Sequence, residues 1–128
     1  MNRNDVQDWL DSYVEAWQTY DAEKIGDLFS EDARYFYSPA DEHQPVRGRL
    51  AIVASWLEQP DRPNSWHAHY APIAVDGRVA VAQGRTRYLH EEGTLKREFD
   101  NIFVIHFDDE GRCSRFTEWY MQRPDPGV

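Results

Sequence analysis

The stretch EFDNIFVIHFDDEGRCSRFTEWYM, residues 98–121, predicts a β-hairpin whose first strand is largely apolar on both faces. Side chains alternate between the two faces of a strand. One face holds Phe99, Asn101, Phe103, Ile105 and Phe107, and the other holds Asp100, Ile102, Val104 and His106. A strand with one solvated face needs only one apolar face. We therefore expect this hairpin to lie in a sheet that is covered on both sides.

The composition excludes several classes of function. With 128 residues the chain has a common domain size, and we expect one domain over residues 1–122 and a disordered tail over residues 123–128. The formal net charge of −9 opposes binding to nucleic acid or to an anionic membrane surface. The N-terminus lacks the apolar core of a secretory signal, so we expect a cytoplasmic protein. Because the chain has a single cysteine, Cys113, it has no internal disulfide, and we interpret Cys113 as a small residue that packs in the core.

The periodicity along the chain predicts the element order ααβαββββ. Apolar residues at three- and four-residue spacing indicate helices, and β segments separated by Gly- and Asp-rich turns indicate a meander of strands. This order is typical of an α+β domain in which three N-terminal helices pack on a curved, mostly antiparallel sheet. The predicted helices cover residues 4–19, a short segment capped by Asp21, and residues 49–58; the predicted strands cover residues 33–39, 65–75, 78–91, 96–107 and 112–122.

The face of the sheet opposite the helices carries an apolar patch. Ile102 and Val104, with either Trp119 and Met121 or their neighbours, would be exposed in a monomer. Exposed apolar patches usually mark interfaces. We therefore expect a homodimer that forms through the outer face of the sheet.

Three segments carry recognisable family motifs: DxExIxxLFxxDAxY at residues 21–35, GRxAI at residues 48–52, and the FDDEGR hairpin at residues 107–112. In these motifs the chain resembles the nuclear transport factor 2-like superfamily, and in particular its bacterial SnoaL-like and ketosteroid isomerase-like members, over about residues 6–122. The resemblance implies a cone whose mouth opens between helices and sheet, which binds a small hydrophobic or aromatic molecule and is commonly dimeric. It implies no particular activity.

The ketosteroid isomerase branch uses an Asp base, with a Tyr and a protonated Asp that donate to the oxyanion. Matched to this chain, its Tyr falls on Tyr13, its base on Tyr37 or Ser38, and its protonated Asp on Phe103. Neither of the last two positions supplies the carboxylate that proton shuttling requires. We therefore do not expect steroid isomerase activity.

The same matching places an aromatic box with two polar tips inside the cone. An apolar cavity with a few fixed polar groups is the usual form of a small-molecule site, although the same rings could fill a core. The matched set is Tyr13, Trp17, Phe29, Tyr35, Tyr37, Trp56, Phe99, Asn101, Phe103, Phe116, Glu118 and Tyr120.

Glu118 is the strongest candidate for acid–base chemistry in this set. Withheld from water among aromatic rings, its carboxyl should have a raised pKa, which suits a general base or acid. A one-residue bulge would instead turn Trp119 inward and leave Glu118 as a surface charge, for example paired with Arg85 or Arg87. Asn101, among Phe side chains, must hydrogen-bond to a protein group, to water or to a ligand.

His67 and His69 share one face of a predicted strand. Such a pair can supply two metal ligands, but no third ligand lies nearby, so we expect no metal. The two histidines could instead face the cone as acid–base groups or lie at the rim of the sheet. No nucleotide-binding or nucleophile-elbow motif occurs, so we also expect no cofactor.

The sequence thus predicts a small-molecule-binding cone with two principal readings. In the first, the protein performs cofactor-free acid–base chemistry of the cyclase, isomerase or dehydratase type. Glu118 or His69 would be the base, and Tyr13, Tyr37 and Asn101 would orient the substrate or stabilise an enolate. In the second, a non-catalytic dimeric module only binds the ligand; a scaffold with a collapsed cone is a third possibility.

Overall fold

A helical hairpin precedes the sheet in the computed structural model, which describes residues 1–124. Helix α1 (Arg3–Thr19) begins with a reciprocal cap, in which the Asn2 side chain accepts from the Asp5 N–H at 2.9 Å and the Asp5 carboxylate accepts from the Asn2 N–H at 3.0 Å. It ends at Tyr20, which adopts a left-handed conformation (φ 50°). Asp21 then caps α2 (Ala22–Asp27), as the sequence predicts.

The sheet has six strands in the order β2-β1-β6-β5-β4-β3. All neighbouring pairs are antiparallel except β1 and β6, which are parallel. The predicted α+β fold with three helices on a mostly antiparallel sheet is therefore confirmed. The remaining elements are β1 (Phe29–Phe36), β2 (Val46–Arg47), α3 (Arg49–Glu58), β3 (Trp66–Asp76), β4 (Val79–Leu89), β5 (Leu95–Phe107) and β6 (Cys113–Gln122).

The first strand is the element that the sequence misplaces. It begins at Phe29 rather than at residue 33, because Phe29 already pairs with Cys113 of β6. It ends at Phe36, and Pro39 opens a 3₁₀ turn (Pro39–Asp41) instead of closing the strand. The predicted loop that follows contains β2, which pairs with the end of β1.

The hydrophobic core lies between α1 and the inner face of the sheet. Trp9 of α1 reaches across this core, and its indole N–H donates to the Leu28 carbonyl at 3.0 Å. Cys113 is completely buried in the same layer, and its backbone N–H donates to the Leu28 carbonyl at 2.8 Å. Burial raises the pKa of the Cys113 thiol, which therefore stays protonated and unreactive in the folded protein.

The outer face of the sheet keeps its apolar patch uncovered within the chain. Trp119 is 44% exposed and Met121 is 74% exposed, and Ile102 pairs directly with Trp119 across β5 and β6. Ion pairs between β4 and β5, including Arg85 with Asp100, lie beside this patch. Among residues 1–124, no helix combines the length and apolar character needed to cross a membrane.

The end of the described chain departs from the predicted tail. Arg123, which the sequence assigns to a disordered segment, is held against β5: its backbone N–H donates to the Glu98 carbonyl at 2.8 Å, and its guanidinium donates to the Asp100 carboxylate at 3.2 Å. Residues 125–128, which make up the rest of that predicted tail, lie outside the described residues.

Candidate functional site

A cavity of about 350 Å³ lies between α1, α3 and the inner face of the sheet. Ten of its sixteen lining residues are aromatic, so the site is an aromatic box with few polar groups. Nine of the residues proposed from the sequence line it: Tyr13, Trp17, Tyr35, Tyr37, Trp56, Phe99, Asn101, Glu118 and Tyr120.

The register of the last strand places Glu118 in this cavity. Glu118 pairs with Phe103 of β5, and Tyr120 pairs with Asn101, so these side chains share the inner face. A bulge does occur in β6, but it falls at Ser114, before the cavity-lining part of the strand. Trp119 therefore faces outward, and Arg85 and Arg87 pair with acids of β5 rather than with Glu118.

Three of the proposed ligand-binding residues lie beneath the cavity instead of lining it. Phe29, Phe103 and Phe116 are at most 1% exposed and belong to the core. Phe116 stacks on Tyr35 with ring centroids 4.6 Å apart and packs against Phe103 at 4.8 Å. These rings therefore form the floor that supports the cavity-lining phenols.

The histidines do not face the cone. His67 and His69 are exposed, whereas their neighbours Trp66 and Tyr70 on β3 point inward. His69 pairs with Arg85 on the outer face of the sheet, so the interpretation of His69 as a base within the cavity is wrong on geometric grounds. Among residues 1–124, no group of three or more His, Cys, Asp or Glu side chains is placed to hold a metal ion.

Several lining residues were missed by the sequence analysis. Tyr70, Thr86 and Tyr88 lie on the inner faces of β3 and β4, and the alternation of Ala80, Ala82, Gly84, Thr86 and Tyr88 would have indicated two of them. Ser55 lies within α3, where the apolar periodicity gives no sign of a polar lining residue, and the others sit at helix ends or in the loop after α3. This second group is Tyr20, Ser55, Gln59 and Asp61.

A chain of hydrogen bonds crosses the sheet and ends on Glu118. The Tyr70 hydroxyl donates to Thr86 Oγ1 at 2.5 Å, and the Thr86 hydroxyl donates to Asn101 Oδ1 at 2.9 Å. Asn101 Nδ2 then donates to Glu118 Oε2 at 2.7 Å. Because Thr86 commits its only proton to Asn101, the amide presents its NH₂ group to the carboxylate. The chain thus fixes the orientation of Glu118 from three neighbouring strands.

Gly84 makes this chain geometrically possible. It pairs with Tyr70 across β3 and β4, and the Tyr70 side chain folds over it toward Thr86. A Cβ atom at position 84 would overlap both the His69 carbonyl oxygen and the Tyr70 side chain. Glycine at this position is therefore required for the close approach of the Tyr70 ring to the sheet.

The carboxyl of Glu118 binds its proton more tightly than an exposed glutamate does. Burial raises the pKa of Glu118 from 4.5 to about 7, and the hydrogen bond from Asn101 offsets only part of this increase. Within residues 1–124, neither Lys, Arg nor His forms an ion pair with it. Near neutral pH both the acid and the carboxylate are populated, which suits a group that removes and returns a proton.

Two phenols beside Glu118 supply hydrogen-bond donors. The hydroxyls of Tyr13 and Tyr35 are 2.9 Å apart. Burial, above all, raises the pKa of both phenols well above the ordinary value, and the charge of Glu118 adds to the increase. Both groups are therefore neutral at physiological pH. Since one proton serves the bond between them, the other can be donated to an oxygen atom in the cavity.

The rim of the cavity, which we define as Tyr20, Gln59 and Asp61, holds a second carboxylate. Asp61 Oδ2 accepts from the Trp17 indole N–H at 3.0 Å and from the Tyr20 hydroxyl at 3.3 Å. The Asp61 backbone N–H donates to the same hydroxyl at 2.8 Å. These bonds fasten the loop after α3 to the end of α1.

Thr86→Val should test the hydrogen-bond chain. Valine keeps the shape of threonine but leaves the Tyr70 hydroxyl and Asn101 Oδ1 without this partner, so we expect a loss of about 1 to 3 kcal/mol in the free energy of unfolding. The amide of Asn101 is then free to turn, and the pKa of Glu118 should rise further. Urea denaturation and a ¹³C NMR titration of the Glu118 carboxyl measure the two effects. Thr86→Ser retains the hydroxyl and should behave as the wild type; an unshifted Glu118 titration in Thr86→Val would contradict the role of the chain.

The helices on a curved sheet, with a cavity between them, define a nuclear transport factor 2-like fold. Residues 10–116 match the family model of the SnoaL-like domain, and the chain therefore belongs to this family. A comparison with curated proteins gives no match.

Solved structures of low sequence identity share the fold. An NTF-2 like protein of unknown function from Burkholderia xenovorans superposes with a TM-score of 0.70 at 14% identity, over 95% of this chain and 87% of that chain. A protein provisionally assigned as a ketosteroid isomerase, from Kribbella flavida, gives a TM-score of 0.68 at 18% identity, over 97% of this chain and 83% of that chain. An NTF2-like protein of unknown function from Cytophaga hutchinsonii gives a TM-score of 0.64 at 12% identity, over 90% of this chain and 98% of that chain.

Proposed function

We propose that this protein binds a small hydrophobic or aromatic molecule in the cavity and acts on it by cofactor-free acid–base chemistry with Glu118 as the base. The observation that carries the proposal is the Glu118 carboxyl, which is held by Asn101 inside an aromatic cavity and has a pKa near 7. A group that serves only to stabilise the fold gains nothing from this environment, whereas a general base needs a pKa near the working pH.

The geometry supports proton abstraction from a carbon next to a carbonyl group. The Glu118 carboxylate takes the proton, the electron pair of the broken C–H bond forms a C=C bond, and the π pair of the carbonyl group moves to its oxygen. The Tyr13 and Tyr35 hydroxyls supply the donor for the resulting oxyanion. If Glu118 returns its proton to another carbon, the enzyme is an isomerase; if the proton goes to a departing hydroxyl group that leaves as water, it is a dehydratase. If the enolate carbon instead attacks a second carbonyl carbon of the substrate, whose oxygen takes the proton, it is a cyclase.

The site differs from the ketosteroid isomerase arrangement in the strand that carries the base. The positions matched to the carboxylates of that branch hold Tyr37, Ser38 and Phe103, whereas Glu118 lies on β6. The cavity volume of about 350 Å³ is also at the lower end of the range for small-molecule sites, which favours a compact ring system. Steroid isomerase activity is therefore not part of the proposal.

Exchange of deuterium into compact cyclic ketones tests the proposed chemistry without knowledge of the natural substrate. Proton abstraction by Glu118 should catalyse hydrogen–deuterium exchange at the carbon next to the carbonyl. NMR spectroscopy in D₂O measures the exchange rate, and Glu118→Gln should lose this activity. Ketones that bind but exchange at the same rate with both proteins would instead favour the alternative function, a non-catalytic binding or accessory module.

We also propose that two copies associate through the outer face of the sheet. The apolar patch formed by Ile102, Val104, Trp119 and Met121 supports this arrangement, since a water-exposed strip of this kind usually marks an interface.

Replacing Trp119 tests the dimer. Size-exclusion chromatography with light scattering at micromolar concentration should give twice the chain mass for the wild type and the monomer mass for Trp119→Lys, because a charge in the middle of an apolar interface is costly. Leu50→Lys is the matched control: Leu50 is 86% exposed on α3, away from the sheet, and its replacement should leave the dimer intact. A monomeric wild type would rule out the proposed interface.

A further inference from the structure

We infer that the ligand of this cavity is an organic cation, in which an ammonium or iminium group is attached to a compact apolar body. The inference rests on the proposed function, since it specifies the substrate class for the same site. It is carried by the distribution of charge and aromatic rings around the cavity.

The lining of the cavity contains negative charge and no positive charge. Its sixteen residues include two carboxylates, Glu118 and Asp61, and no Lys, Arg or His. The other polar members, such as Thr86 and Asn101, are neutral. An anionic ligand would lose its hydration without gaining a counter-charge, which is costly in a buried site.

Neither Glu118 nor Asp61 forms an ion pair with a basic side chain among residues 1–124. Asp61 accepts hydrogen bonds from Trp17 and Tyr20, which are both uncharged donors. Arg62, the adjacent residue, pairs with Glu91 at 3.5 Å rather than with Asp61. Arg97 stacks on the Tyr88 ring at 5.1 Å, and with Arg62 and Lys96 it lines a neighbouring depression that shares Asp61 and Tyr88 with the cavity. Within residues 1–124 no basic side chain lines the cavity or forms an ion pair with either of its carboxylates, so the lining itself carries a negative potential.

Tyr88 indicates that this potential extends across the cavity. Burial is the main cause that raises the pKa of Tyr88 to about 12; the charges of Asp61 and Glu118 both add to the increase, and the charge of Arg97 offsets part of it. The phenol thus lies within electrostatic reach of the carboxylate at the rim and of the carboxylate inside. Low-dielectric walls between two such charges concentrate their field.

The aromatic rings provide the second half of a cation site. Ten of the lining residues are aromatic, including Trp17 and Trp56. The face of an aromatic ring attracts a cation within about 6 Å of its centre, with Trp as the strongest partner. An aromatic box with acidic groups is the usual solution for ammonium recognition, because the rings replace water around the charge while the carboxylates balance it.

Three probes of matched shape test the inference: phenyltrimethylammonium, its neutral carbon analogue tert-butylbenzene, and the anion benzenesulfonate. Titrations monitored by the indole N–H signals of Trp17 and Trp56 should show the cation binding at least about tenfold more tightly than the neutral analogue. The anion should not bind. Asp61→Asn keeps an acceptor for Trp17 and Tyr20 but removes the charge, so it should weaken binding of the cation several-fold and leave that of tert-butylbenzene unchanged.

Glu31→Gln is the control variant for this experiment. Glu31 is exposed on β1, and its replacement makes the same change in net charge without altering the cavity lining. Equal or tighter binding of tert-butylbenzene would overturn the inference and leave the proposed function standing. If none of the probes binds, the inference also fails, while the proposed function is decided separately by the pKa of Glu118 and the exchange assay.

Discussion

Glu118→Gln is expected to raise the free energy of unfolding by roughly 3 kcal/mol above pH 7 and to change it little below the ordinary Glu pKa. In the wild type, burial raises the pKa of Glu118 from 4.5 to about 7, so the folded state binds this proton more tightly than the unfolded state. The stabilisation from the protonated group is fully present below about pH 4.5 and is lost as pH rises through about 7. Glutamine does not titrate and avoids this loss.

Urea denaturation of wild type and Glu118→Gln at pH values from below 4.5 to well above 7 gives the comparison. The difference in unfolding free energy should grow with pH and level off once Glu118 is ionised. Glu31→Gln removes an exposed carboxyl, makes the same change in net charge and serves as the control variant. Parallel curves for wild type and Glu118→Gln would mean that the carboxyl is not desolvated in the folded protein.

The same replacement should have the opposite effect on activity. Removal of a general base typically slows proton transfer about 100-fold or more, so the exchange reaction should fall by at least this factor at any pH where Glu118 is ionised. A variant that is more stable and less active would identify Glu118 as a group retained for function at the expense of stability.

Gly84→Ala should have a large effect on stability through the backbone. The new Cβ meets the His69 carbonyl oxygen and the Tyr70 side chain, so β3 and β4 must separate or the ring must leave its place. Overpacking of this kind typically costs about 1 to 3 kcal/mol, and the backbone contact places this substitution at or above the upper limit. Loss of the Tyr70 to Thr86 hydrogen bond should accompany it.

Gly26→Ala provides the matched control for this substitution. Gly26 lies in helix α2, and a Cβ there would meet only ordinary contacts, the nearest being the Arg49 side chain at 3.6 Å. Alanine also favours the helix, so this variant should gain about 0.5 to 1 kcal/mol. Thermal denaturation compares the two; a wild-type melting temperature for Gly84→Ala would show that the strands yield easily at this point.

The strands and helices follow closely from the sequence because their apolar periodicity is strong. The two-faced apolar pattern of residues 98–107 indicates a sheet with helices on one face, and alternation along β5 and β6 is sufficient to bring Asn101 and Glu118 to the same face. The boundaries of β1 are harder to predict from the sequence, because its parallel pairing with β6 is a long-range contact that local periodicity does not report.

The cavity itself follows less directly from the sequence. Whether Phe103 and Phe116 line a void or fill the core depends on how far the helices stand from the sheet, and alternation along a strand carries no information about that distance. The face on which His67 and His69 lie follows from the pairing of β3 with β4, in which Tyr70 packs over Gly84. Nothing in the sequence around Gly84 indicates this contact. Asp61 lies in a loop whose position is fixed only by Trp17 and Tyr20.

The buried thiol of Cys113 gives this protein an internal reporter of ligand binding. A thiol reagent can react with the chain's single cysteine only after β1 and β6 have separated, so the labelling rate counts openings of the native structure. Any molecule that occupies the cavity stabilises the closed state and slows labelling in proportion to its occupancy. Compounds can therefore be ranked by their protection of one sulfur atom before anything is known of the reaction they undergo.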